Sequence, residues 1–139
     1  MKTILLFILL ASSVHALTMD DVIDALIKVE SSGNAAAFNE SENAIGVLQI
    51  RPIMVKDYNR IYGTDFEHCV AWNVDAARMI AIGIFRHYSK NIEQPNAKHF
   101  AFIWNGGGSA WARVDVPRND TKQKNLERYW QKVLTALKK

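Results

Sequence analysis

The chain has 139 residues, with 17 Lys and Arg against 14 Asp and Glu and one cysteine. A chain of that length folds as one domain around one core, and so small a charge excess gives no footing for nucleic-acid binding. Cys69 alone cannot form an internal disulfide, so an exported form has to be held by its apolar interior.

Met1-Lys2-Thr3 is a short basic start, followed by the apolar run Ile4 to Leu10 and by Ser12-Ser13-Val14-His15-Ala16. The run is too short to span a bilayer, and the small residues before Leu17 fit a cleavage site. Residues 1–16 are therefore read as a signal peptide and 17–139 as the mature domain, exported to the periplasm or beyond the cell and without a stable membrane span. Losing Lys2 leaves 16 basic against 14 acidic residues, or +2, with Lys138-Lys139 as a basic point for an anionic polymer or surface. Asn39-Glu40-Ser41 and Asn119-Asp120-Thr121 are glycosylation acceptors only in a host that uses them.

Thr18 with Asp21 three positions on forms a capping pair for a first helix running to about Ser31, where Gly33 is expected to supply the left-handed end. Residues 33–45 are small and polar and are expected to loop back over that end. Gly46-Val47-Leu48-Gln49-Ile50 fits either a short strand or the opening of the next helix. Pro52 suits a first helical turn, and the second helix stops at Gly63. After a connection over 64–69, Asn73 caps a helix that is apolar nearly all round through Phe85, which predicts a central position. A further buried helix runs from about Ala97 to Trp104 and stops at Asn105-Gly106-Gly107-Gly108. Residues 105–121 read as a long loop beside a cleft, and Leu126, Tyr129, Trp130, Val133 and Leu137 make an amphipathic terminal helix. The fold class is mainly α, with no internal repeat.

One residue does not fit a plain helical domain. Ile23, Leu26 and Ile27 fall at i, i+3 and i+4 of a stripe whose i+7 position is Glu30. A carboxylate at the end of a core-facing stripe loses hydration, which favours its protonated form and suits a general acid. The structural alternative is a solvated or capping glutamate.

Four pieces then occur in order: Glu30-Ser31, Gly46-Val47-Leu48-Gln49-Ile50, Ile103-Trp104-Asn105-Gly106-Gly107 and Tyr129-Trp130. In that series the chain resembles the soluble lytic transglycosylase family over residues 20–135. The family's motifs are a Glu-Ser pair ending a helix, Gly-Leu-Met/Phe-Gln-Ile, Ala-Tyr-Asn-Ala-Gly and a Tyr-Val pair. Trp104 stands for the usual tyrosine, Trp130 for valine, and Asn125 where a glutamate often precedes the last tyrosine.

The resemblance implies a lysozyme-like domain with a substrate groove that cleaves the β-1,4 bond between N-acetylmuramic acid and N-acetylglucosamine in peptidoglycan strands. It implies Glu30 as catalytic acid then base, and Ser31, Gln49, Trp104, Asn105, Gly106 and Tyr129 as substrate contacts. No cofactor or metal is called for, and a monomer is the default. Internal attack by the muramic 6-hydroxyl gives a 1,6-anhydro end, whereas attack by water makes the enzyme a lysozyme-type muramidase. Hydrolysis with two carboxylates needs a second acid, and Glu40, Glu42, Asp57 and Asp65 are available, none in a motif of its own.

Each contact residue also has a structural reading. Gln49 and Asn105 can fasten their own loops, Ser31 can close a helix end, Gly106 can belong to a turn, and Tyr129 can be core. Trp104 and Trp111 stack on sugar faces or are simply buried. Three rival accounts remain: Cys69 acting with His87 or His99 as a hydrolase, a metal site from His68, Cys69, His87 and His99, and a non-catalytic cell-wall-binding relative.

Overall fold

The computed structural model describes residues 16–138. Residues 1–15, and with them all of the expected signal peptide except Ala16, lie outside the described residues, as does Lys139. The described chain is mainly α, with six α-helices, one short 3-10 helix and a two-stranded sheet.

Helix α1 (Met19–Ser31) starts on the expected capping box: Thr18 Oγ1 accepts from Asp21 N at 3.1 Å, and Asp21 Oδ2 accepts from Thr18 N at 2.7 Å. It buries Val22, Ile23, Ala25 and Leu26. Its left-handed end falls on Ser32 (φ 53°), with Gly33 (φ 82°) continuing the turn, rather than on the glycine alone. Residues 33–45 are not only loop. They hold a hairpin of β1 (Phe38–Asn39) and β2 (Ala44–Ile45), with Phe38 opposite Ile45 and Asn39 opposite Ala44.

The segment 46–50 is neither a strand nor a helix opening. Ile45 and Ile50 exchange backbone hydrogen bonds of 3.1 and 3.0 Å, closing a tight loop that drives Leu48 fully into the core. Gly46 makes the turn at φ 75°, where a side chain would also strike the carbonyl oxygen of Ala71.

Helix α2 (Pro52–Tyr62) begins on its proline and ends at Gly63 (φ 66°). A 3-10 turn (His68–Trp72) begins in the last two residues of the expected connection, runs past it, and leads through the Asn73 cap into α3 (Val74–Ser89). Helix α3 packs against α1, α2 and α4, as its composition predicts. It is not buried all round, since Val74 and Met79 stay about 40% exposed (39% and 41%).

Helix α4 (Ala97–Gly106) runs two residues past Trp104, and α5 (Ala112–Asp115) interrupts the stretch expected to be loop. Helix α6 (Thr121–Leu137) closes the fold against α1 and α4. Ile23, Leu26, Leu48, Ile50, Val55, Ile80 and Phe85 centre the main core, while Phe102, Ala110 and Leu126 form a smaller cluster between α4 and α6. No helix among the described residues is long and apolar enough to cross a membrane.

Candidate active site

Glu30 lies in the last turn of α1, where the buried stripe reaches the edge of the core. Packing of α6 on α1 brings Tyr129, 99 residues later, onto it: the tyrosine hydroxyl donates to Glu30 Oε1 at 2.5 Å. Burial pushes the Glu30 carboxyl above the usual glutamate range, opposed by the Tyr129 hydrogen bond, which favours the charged form. The nearby negative charge of Glu42 adds to the rise, and the weaker influences of Arg51 and Lys132 act against it. Burial, followed by the charge of Glu30, raises the Tyr129 hydroxyl far beyond any working pH, so Tyr129 remains the donor. With Oε1 so occupied, Oε2 is left to carry a transferable proton.

Glu30 faces a polar pocket of about 80 Å³ whose other walls include Glu42, Gln49, Arg51, Trp104 and Asn105. Two larger cavities share wall residues with it. One, of about 430 Å³, shares Arg51, Met54 and Trp104 with the acid pocket and is otherwise largely apolar. The other, about 240 Å³, shares Asn105 and is lined by Asn125, Arg128, Tyr129 and Lys132.

The tight loop holds its side of the pocket rigidly. Gln49 sits at φ 49°, and its amide nitrogen donates to Ala37 O (3.1 Å) and Gly46 O (3.0 Å), which leaves its amide oxygen for a guest. Ser31 Oγ donates to Val47 O at 2.7 Å, tying the end of α1 to the same loop. His68 Nε2 lies 2.7 Å from Ile50 O and must carry its proton there, because a carbonyl only accepts.

Among the residues singled out in the sequence, Glu30, Gln49, Trp104, Asn105 and Tyr129 come together around the pocket. Trp104 is 4% exposed and packs edge-to-face with Phe85, ring centres 5.7 Å apart, so it is a wall of the pocket and not a free stacking platform. Ser31 and Gly106 have scaffold positions. A Cβ on Gly106 would come within 2.6 Å of Leu126 Cδ2 and 2.8 Å of Ala110 Cβ, which marks close packing of α4 on α6 and on the turn before α5. Trp111 is half-buried against the core.

The rival constellations are not assembled. Cys69 is exposed, with its sulfur 3.8 Å from Glu67, whereas His87 packs edge-on against Tyr88 and the buried His99 lies between Asn96 N and Asp115. Among the described residues no group of three or more His, Cys, Asp and Glu is placed to hold a metal ion.

Sequence reasoning missed Arg51, Met54, Asn125, Arg128 and Lys132 as pocket residues. Asn125 and Lys132 stand four before and three after Tyr129, so the helical repeat puts them on its face, and that signal was available. Arg51 and Met54 meet the acid only through tertiary packing. No family model, curated protein or solved structure matches this chain, so its chemistry is read from the side chains themselves.

Proposed function

We propose that this chain is a peptidoglycan lytic transglycosylase of lysozyme-like fold. It would act as a monomer on glycan strands outside the cytoplasm, after removal of an export signal. The observation that carries the reading is Glu30: a carboxyl with raised pKa, held by the Tyr129 hydroxyl and facing a polar pocket that shares walls with two larger cavities.

Protonated Glu30 donates to the glycosidic oxygen as its bond to C1 of the muramic residue breaks, so the leaving group departs as an alcohol instead of an alkoxide. The 6-hydroxyl of the same residue then attacks C1, and its proton returns to the Glu30 carboxylate. The acid is regenerated and no water is consumed. Gln49 and Asn105 supply amide groups at the pocket wall, chemistry that suits the acetamido groups of the substrate.

One observation favours a second reading. Of the four further acids singled out, Glu42 alone shares the pocket with Glu30. A carboxylate there can take a proton from a water on the far side of the linkage, which would make the enzyme a hydrolase. Digestion of purified peptidoglycan followed by mass spectrometry distinguishes the outcomes. Anhydro ends, lighter by one water than reducing ends, are expected, and Glu30→Gln is expected to release neither. Release of no muropeptide by the parent protein would leave only a wall-binding relative.

A further inference from the structure

Beside the acid pocket, on the side of α2, α3 and α4, lies the apolar cavity of about 430 Å³ with which it shares walls. We propose that this cavity receives the peptide substituent of the muramic residue, so that peptide-bearing strands are preferred over denuded glycan. The inference rests on the glycan-cleaving reading above.

Continuity is the first argument. Arg51, Met54 and Trp104 belong to the walls of both spaces, so the cavity lies within reach of a substituent on a sugar held at Glu30. The second argument is the surface it would meet. Ile53, Ile84 and Ile103 line the cavity, and Ile53 is 65% exposed. A pyranose ring laid on these side chains would give up water from its hydroxyls without regaining partners, which is costly. An alkyl-rich group gains from the same burial.

The third argument is charge. Arg51 and Lys56 stand at the cavity and make no ion pair among the described residues. The one acid in the lining, Asp57, is already committed: Oδ1 to Arg60 at 2.5 Å, and Oδ2 to the Tyr88 hydroxyl at 2.6 Å. Lys56 therefore adds positive charge to the rim over an apolar floor, while Arg51 also faces Glu30 and Glu42 across the shared wall. Muramic acid bears on O3 a lactyl group continued by an alanyl residue, methyl groups first, and then a residue with a free carboxylate. An apolar stem ending in an anion matches that floor and rim.

Titration of the parent protein with N-acetylmuramic acid and with the same sugar carrying L-Ala-D-Glu, read by tryptophan fluorescence, tests the assignment. The peptide-bearing ligand is expected to bind about tenfold more tightly, as one good charge-assisted contact implies. Lys56→Glu, an exposed substitution, is expected to abolish that preference and Lys56→Arg to retain it. Equal binding of the two ligands, or a preference that survives Lys56→Glu, overturns the proposal and assigns the cavity to another sugar of the strand. A parallel comparison of kcat/KM on peptide-bearing and amidase-denuded strands separates the two levels. Cleavage without discrimination sinks the peptide site alone, whereas discrimination in binding without cleavage of either strand sinks the enzymatic reading alone.

Discussion

The hydroxyl of Tyr129 donates to Oε1 of Glu30 at 2.5 Å, joining the last helix of the domain to the end of its first. This contact opposes the effect of burial, because a hydrogen bond to the charged carboxylate lowers its pKa while desolvation raises it. Removing the hydroxyl with Tyr129→Phe therefore raises the Glu30 pKa further. A general acid works only while protonated, so the basic limb of the pH–activity profile should move to higher pH. Rate at the optimum should fall about tenfold or more as the carboxyl loses its orientation. A limb that moves to lower pH would show that Glu30 is not the titrating acid.

Glu30→Gln should separate stability from turnover. In the folded protein Glu30 holds its proton above the ordinary value of 4.5, so the native state binds more protons than the unfolded chain between that pH and its own raised pKa. Stability falls as pH rises through this window, and the deficit persists above it. Glutamine keeps an acceptor for Tyr129 and carries no such penalty. The variant should melt a few degrees above the parent at pH 8 and level with it near pH 4, while cleavage falls by about 10²–10⁴. Paired melting curves at the two pH values check the sign.

The difference between these residues and their surroundings explains what could be read from the sequence. Caps are local, so Thr18 with Asp21, Pro52, Gly63 and Asn73 announce helix ends within a few residues of where they act. Gly46 to Ile50 could not be resolved, since its shape depends on the exchange between Ile45 and Ile50 and on Gly46 meeting Ala71, neither visible over five residues. Residues 105–121 look like loop because of their glycines and Pro117. Yet Gly106 is helical, and its missing Cβ is what lets Leu126 and Ala110 close on it. Glu30 stands out by its stripe, whereas Glu42 gains meaning only when the hairpin sets it at the same pocket.

Glu42→Gln tests that placement. Its negative charge contributes to keeping the Glu30 proton on, so its removal should shift the basic limb of the activity profile to lower pH, opposite to Tyr129→Phe. Product masses from the same digest carry a second signal. If Glu42 only biases Glu30, anhydro ends persist in the variant. Reducing ends in the parent that vanish in the variant would instead make Glu42 the base of a hydrolase.

Two glycines with similar backbone angles should respond differently to alanine. Gly46 (φ 75°) would put a methyl group into Ala71 O, while Gly33 (φ 82°) has nothing within 4 Å of that position. Gly33→Ala should cost about 1 kcal/mol, the penalty of the left-handed conformation, and Gly46→Ala about 2–4 kcal/mol because the steric conflict adds to it. Urea denaturation of the two variants gives the comparison. Equal losses would mean that the loop carrying Gln49 relaxes freely around Ala71.

Ser31 follows the acid directly, and two roles for it predict different measurements. Its hydroxyl donates to Val47 O at 2.7 Å and lies 3.2 Å from Ile27 O, so its single proton is engaged within the scaffold. Ser31→Ala should then cost about 1 kcal/mol of stability, a drop of a few degrees in Tm, by loosening the loop from the end of α1. Activity should fall through kcat as Gln49 and Glu30 lose registration, with KM little affected. A hydroxyl that contacted the sugar would give the reverse pattern, with raised KM at an unchanged Tm. The geometry favours the first outcome, because a proton already bridging toward two carbonyls has little left to offer a substrate.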